Sequence, residues 1–183
     1  MQNVRVKELM VPLSDYATVD ENALMFEAVL ALEHSRERFD HNKLKHRAVI
    51  VTNNRKQVVG KIGYLDFLQS LEPGYSVIPE MEHMGSSFTP EFLRSQLQKY
   101  ALWQTPLNDL CGKAAHCQVK EFMHIPAEAE YIDADDSLDQ AIHQLILTRV
   151  QSLLVKSGQD VVGILRLSDV AETLLAMIRE CKI

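Results

Sequence analysis

The chain has 183 residues, 46% of them hydrophobic and 24% charged, a balance that excludes wholesale disorder and leaves one domain or two small ones sharing a core. The 19 Lys and Arg against 25 Asp and Glu give a formal charge of −6, which argues against a general nucleic-acid coat but not against one small anion pocket. There is no apolar run near the roughly 18 to 20 residues of a membrane span and no apolar leader after Met1, and the three cysteines are an odd number, so the expectation is a cytoplasmic, reducing setting.

In chain order, an extended piece, Ala17-Thr18-Val19, leads to an acidic helix start at Asp20-Glu21-Asn22, whose carboxylates are expected to cap orphan amides. Met25, Val29 and Leu32 predict that helix's apolar face. Residues His34 to Arg47 then hold Arg36, Arg38, Lys43, Lys45 and Arg47 against Glu37 and Asp40, a local excess of +3. Such a run reads either as a solvated loop or as capture of ligand phosphates by His46 and Arg47. RNA contact has little behind it, because Phe39 is the single aromatic there. A strand from Ala48, a turn at Asn53-Asn54 and a return through Val58-Val59-Gly60 form a hairpin, and a helix starts near Asp66.

Residues 70–87, with Pro73-Gly74, Pro79 and Gly85, read as loop. Thr89-Pro90-Glu91 marks a helix start, with Phe92, Leu93, Leu97, Tyr100 and Ala101 as its stripe. A shorter helix is expected from Thr105-Pro106 to about Ala115, with Trp103 at the junction. This insertion is expected to cover the neighbouring units, a dimerisation element or ligand lid being the sharper alternative. Cys111, His116 and Cys117 lack metal-motif spacing and read as reduced thiols rather than a metal site. His83 and His124 read as loop residues. After Tyr131-Ile132 comes a second acidic start, Asp133-Ala134-Asp135-Asp136, and a helix with Leu138, Ile142, Leu145 and Ile146 on one face. A hairpin turning at Ser157-Gly158 follows, and a last helix near Asp169 carries Val170, Leu174, Leu175 and Ile178.

The chain therefore repeats itself. Val6-Lys7-Glu8-Leu9-Met10 recurs as Val119-Lys120-Glu121-Phe122-Met123 at an offset of 113, which also carries Val19-Asp20 onto Ile132-Asp133. Ala48–Val51 matches Ser152–Val155 at an offset of 104. Val58-Val59-Gly60 and Asp66 match Val161-Val162-Gly163 and Asp169 at 103. The falling offset places nine extra residues of the first copy before its strand and one in its turn, where a surface loop absorbs them. The predicted class is α+β (α/β-type): two β-α-β-β-α units, residues 4–71 and 117–181, around a helical insertion at 72–116.

A duplicated unit of this kind, ending in Gly-x-x-x-x-x-Asp, resembles the cystathionine-β-synthase (CBS) domain, and the tandem resembles a CBS pair, or Bateman module. The resemblance rests on Val6–Met10 with Pro12, Val119–Met123 with Pro126, Val58-Val59-Gly60 with Asp66, and Val161-Val162-Gly163 with Asp169. It implies units packed about a pseudo-twofold axis with clefts that bind adenosine compounds such as AMP, ADP, ATP or S-adenosylmethionine, with no required cofactor. It implies Asp66 and Asp169 as ribose carboxylates, although helix capping asks for Asp at the same place. The family's Thr or Ser is Gly63 in one copy and Arg166 in the other. Gly63 lacks the hydroxyl but leaves room for close backbone approach. Arg166 reads as a phosphate clamp, a solvated cation or the ion-pair partner of Asp169. Ser168 and Thr18 are minor contact candidates.

No nucleophile elbow, zincin helix or P-loop is present, so the expectation is a non-enzymatic module. It would bind an adenosine ligand, form a homodimer and signal to an effector protein, without membrane or nucleic acid. The competing expectation is a structural dimerisation module with degenerate clefts.

Overall fold

The structure, a computed structural model, describes residues 4–38, 48–72, 74, 75, 78, 89–104 and 110–180. The first copy runs β2 (Thr18–Asp20), α2 (Met25–Arg38), β3 (Ala48–Thr52), β4 (Val58–Gly63) and α3 (Tyr64–Ser70). The second runs β5 (Tyr131–Asp133), α6 (Leu138–Thr148), β6 (Ser152–Ser157), β7 (Asp160–Arg166) and α7 (Leu167–Glu180). Ahead of them lie α1 (Val6–Leu9) and β1 (Val11–Pro12), and between them α4 (Pro90–Lys99) and α5 (Leu110–His116).

In both copies the short strand runs parallel to the first hairpin strand, and the hairpin is antiparallel. The parallel pairing demands a crossover, which α2 and α6 supply. The first turn is built on Asn53, whose Oδ1 accepts the amides of Arg55 and Gln57. The second needs only Gly158-Gln159, with Gly158 at φ +64°. A residue without Cβ takes that conformation at no steric cost.

Packing crosses the repeat boundary in both directions. Val11 and Pro12 pair with Ile164 and Gly163 of β7, while His124 exchanges both backbone hydrogen bonds with Lys61 of β4. Val6 is buried in the second copy's core beside Ile132, Leu138 and Leu165, and Val119 in the first copy's beside Ala28, Val49 and Ile62. The Val-Lys-Glu repeat is therefore an exchanged strip: each copy's leading segment completes the other's core. The glycines of Val-Val-Gly make room for it. A Cβ on Gly163 would lie 2.7 Å from the Val11 carbonyl oxygen, and one on Gly60 would lie 2.7 Å from Met123 Sδ. A third cluster, Tyr16, Ile50, Leu154 and Ile164, joins the two sheets, and Ile50 and Leu154 are equivalent positions about the pseudo-twofold axis.

The helices differ from expectation in detail. The acidic residues ahead of them shape a turn instead of capping: Asp20 Oδ1 accepts from the Asn22 amide and Asp133 Oδ1 from the Asp135 amide. The cap of α6 is Ser137, in a reciprocal box with Gln140. A hydroxyl one residue before the helix reaches the third helical amide, whereas the aspartates sit too far upstream. Ala28 and Ala141 face the cores, where their small side chains let the helices sit close to the sheets, and Val29, Ile146, Leu175 and Ile178 are exposed. Part of the first copy's insertion lengthens its helix, since α2 has 14 residues and α6 has 11.

In the insertion, Thr89 caps α4 by accepting from the Phe92 amide, with Pro90 in its first turn as expected. Leu93 and Leu97 of its stripe are exposed, and Ala101 lies beyond the helix end at φ +50°. Leu102 is the buried residue there instead. The expected start at Thr105-Pro106 lies outside the described residues, within which the second helix spans Leu110–His116 and packs against α2. Trp103 donates its amide to Glu72 and its indole N–H to Tyr75.

Candidate functional site

A cleft of about 500 Å³ opens where the two copies meet, a volume suited to a ligand of nucleotide size. The strand-to-helix junctions of both copies reach it, so the crossover topology brings Gly63 and Asp66 from one copy together with Arg166 and Ser168 from the other. The rest of its wall includes Tyr16, Lys61, His124, Glu130 and Arg149.

Asp66 stands at the third position of α3, and its Oδ2 accepts the Gly63 amide at 2.6 Å. A Cβ at Gly63 would meet only Asp66 Oδ2 at 3.5 Å, an ordinary contact. Packing does not impose glycine there. Asp169 holds the equivalent position in α7 but has different neighbours. Arg166 Nε donates to its Oδ2 at 2.5 Å and a second guanidinium nitrogen to its Oδ1 at 2.7 Å. Of the three readings of Arg166, the structure shows the ion pair, bidentate and nearly buried. Tyr16 shares a hydrogen bond with Arg166, and burial, outweighing that cation, pushes its hydroxyl well above the ordinary phenol range. It therefore stays neutral.

A second polar group lies alongside. Glu130 is 4% exposed. Its Oε2 accepts from Lys61 Nζ at 2.6 Å, and its Oε1 lies 2.6 Å from His124 Nε2 and 3.1 Å from the Ala127 amide nitrogen. Lys61 also reaches the Ser152 carbonyl at 3.2 Å. Burial alone would raise the Glu130 carboxyl, but the hydrogen bonds from Lys61 and His124 and the lysine charge hold it below the usual carboxylate range.

Of the residues singled out from sequence, Gly63, Asp66, Arg166 and Ser168 line the cleft, and Asp169 stands behind Arg166. Thr18 lies in β2 outside the lining. His46 and Arg47 lie outside the described residues. Sequence reasoning missed Lys61, Glu130, Arg149 and Tyr16, and His124, read as a loop residue, is part of the wall. The signal was in the repeat. Lys61, His124 and Glu130 stand where the other copy has Ile164, Val11 and Ala17, three coordinated apolar-to-polar exchanges at positions otherwise matched.

The cysteine region carries no such constellation. Cys111 is exposed, Cys117 is half-buried, and His116 Nδ1 lies 2.7 Å from the Gly112 carbonyl oxygen. Among the described residues no group of three or more His, Cys, Asp or Glu is placed to hold a metal ion, and no helix is long and apolar enough to cross a membrane.

The family model described as CBS domain matches residues 119–176. A search of curated proteins finds no match. Among solved structures, the chain is similar to the CBS-pair protein CBSX2 from Arabidopsis thaliana at 17% identity and a TM-score of 0.59, over 98% of this chain and 100% of that one. A structure of CBSX2 in complex with AMP matches at 18% identity and a TM-score of 0.58, over 96% of this chain and 98% of that one. A CBS domain-containing protein from Kribbella flavida matches at 14% and 0.59, over 94% and 99%. At these identities the likeness concerns the fold, and that fold is the tandem CBS pair.

Proposed function

We propose that this CBS-domain protein, folded as a CBS pair, is a non-catalytic regulatory module that binds an adenosine-containing ligand at the junction of its two copies. The observation that carries the reading is the cleft itself: nucleotide-sized, built by both copies, and lined by the Asp66 carboxylate and the Arg149 cation. A carboxylate accepts the two protons of a ribose diol, and guanidinium geometry matches phosphate. The AMP complex of CBSX2, a protein of the same fold, makes AMP the first ligand to try. A ligand touching both copies would favour one relative orientation, and a partner protein reading that orientation would receive the signal. Exposed Leu65 and Leu68 of α3, with Leu175 and Ile178 of α7, give apolar faces on which two chains can pair into a homodimer. The odd cysteine count favours the cytoplasm as its compartment.

The Arg166–Asp169 pair supports a second reading, a structural pairing module whose clefts have lost their ligand. Calorimetric titration with AMP, ATP and S-adenosylmethionine separates the two. Binding with a matching rise in melting temperature is expected for the sensor. No heat from any of them at millimolar concentration would leave the structural module.

A further inference from the structure

We propose that the cleft takes one ligand per chain, on the Asp66 side, with Arg149 as its counter-charge, and that the Arg166–Asp169 pair seals the equivalent Asp169 side. The inference rests on the reading of the cleft as an adenosine-ligand site and adds where, how many and of what charge.

The repeat makes Asp66 and Asp169 equivalent, and the structure makes them different. Both follow the second hairpin strand at the third position of a helix. Asp169 has both oxygens taken by Arg166, its side chain is 13% exposed, and it is not part of the cleft wall. Tyr16, in the cleft wall, shares a hydrogen bond with the same guanidinium. A diol arriving there must displace a bidentate, charge-assisted pair from a site with little water to replace it. On the Asp66 side the residue equivalent to Arg166 is Gly63, which has no side chain to seal anything. Asp66 gives one oxygen to the Gly63 amide, lines the cleft, and has no other partner among the described residues.

The cations sort the same way. Lys61 is held by Glu130, and Arg166 by Asp169. Arg149 forms no ion pair among the described residues, is exposed, and lies in the wall. Its backbone is fixed at φ +55° as the cap of α6, with its amide donated to the Leu145 carbonyl, which holds the root of the side chain at the rim. Among the described residues of the wall, Asp66 and Arg149 are the carboxylate and the cation left open. That complement fits one diol and one compact anion, which is the chemistry of a nucleoside monophosphate.

The test uses AMP and adenosine on the whole chain. Calorimetry and native mass spectrometry of the wild type are expected to show one AMP per chain. Asp66→Asn should weaken AMP by about tenfold or more, as loss of a charged hydrogen bond does. Arg149→Gln should weaken AMP similarly while leaving adenosine within about twofold, because only the phosphate meets the arginine. Arg166→Gly, which copies Gly63, should admit a second AMP per chain. Two AMP per wild-type chain, or Asp66→Asn binding like the wild type, would overturn the inference while leaving the adenosine reading in place. A folded Arg166→Gly that still takes one AMP would overturn the sealing. Should that variant fail to fold, wild-type stoichiometry and Asp66→Asn decide alone. A wild type that binds neither AMP nor adenosine would remove the reading and this inference with it.

Discussion

Two ion pairs in this protein have the same nitrogen–oxygen distance, 2.6 Å: Lys61–Glu130 and Lys7–Asp135. Distance therefore cannot distinguish them, and burial must. The first pair has side chains 13% and 6% exposed, the second 51% and 64%. Glu130→Ala leaves the Lys61 ammonium with the Ser152 carbonyl as its one partner among the described residues and takes the acceptor from His124 and the Ala127 amide. Stranding a buried charge in this way costs about 3 to 5 kcal/mol. For a chain of this size each kcal/mol lowers the melting temperature by about 2 to 4 °C, so the expected fall is roughly 6 to 20 °C. Asp135→Ala should melt indistinguishably from the wild type, because water already solvates both partners. Glu130→Gln, which keeps the shape and one acceptor, should fall between them. Differential scanning calorimetry at pH 7 and moderate salt measures all three. A Glu130→Ala melting point within 2 °C of that of Asp135→Ala would refute the claim that burial, and not contact distance, sets the value of these pairs.

The same carboxylate predicts the acid limb of the stability curve. Its folded-state value lies below its ordinary one, so its stabilisation is present above about pH 4.3 and is lost as pH falls through the folded value. The melting-temperature gap between wild type and Glu130→Gln should shrink on acidification from pH 6 to about 3, and a constant gap would count against the assignment. Gly163→Ala should cost about 1 to 3 kcal/mol and more than Gly60→Ala, because both added Cβ atoms meet a flexible methionine sulfur but the backbone oxygen lies 2.7 Å away at Gly163 and 3.1 Å away at Gly60. Urea unfolding of the two variants gives the order, and the reverse order would contradict the exchanged-strip packing. Ser137→Ala removes the α6 cap and should cost about 1 kcal/mol by the same assay, with Asp133→Ala expected to cost less.

Much of the fold was legible because it is local and doubled. Alternating apolar residues, turn residues at Asn53 and Gly158, and the Thr89-Pro90 start each state a nearby preference, and a second copy at a slowly falling offset repeats most of them. Helix faces were read one position off at Val29 and Ile146 because an apolar residue satisfies a helical period whether or not a sheet lies beneath it. Alanine, nearly silent in hydropathy, takes the closest contact instead.

The candidate site divides along the same line. The residue order alone establishes two copies, with Gly63 and Arg166 at equivalent positions and Asp66 and Asp169 three residues further on, where the last helices start. Tertiary packing turns Arg166 onto Asp169 and leaves Asp66 facing the cleft, since residue type does not say which partner a guanidinium takes. It also joins Lys61, His124 and Glu130, up to 69 residues apart in the chain, into one network around the buried Glu130 carboxylate. The exchange of leading strips between copies brings them together. That exchange is a matter of long-range packing, where burying Val6 and Val119 in the opposite core outweighs any local preference.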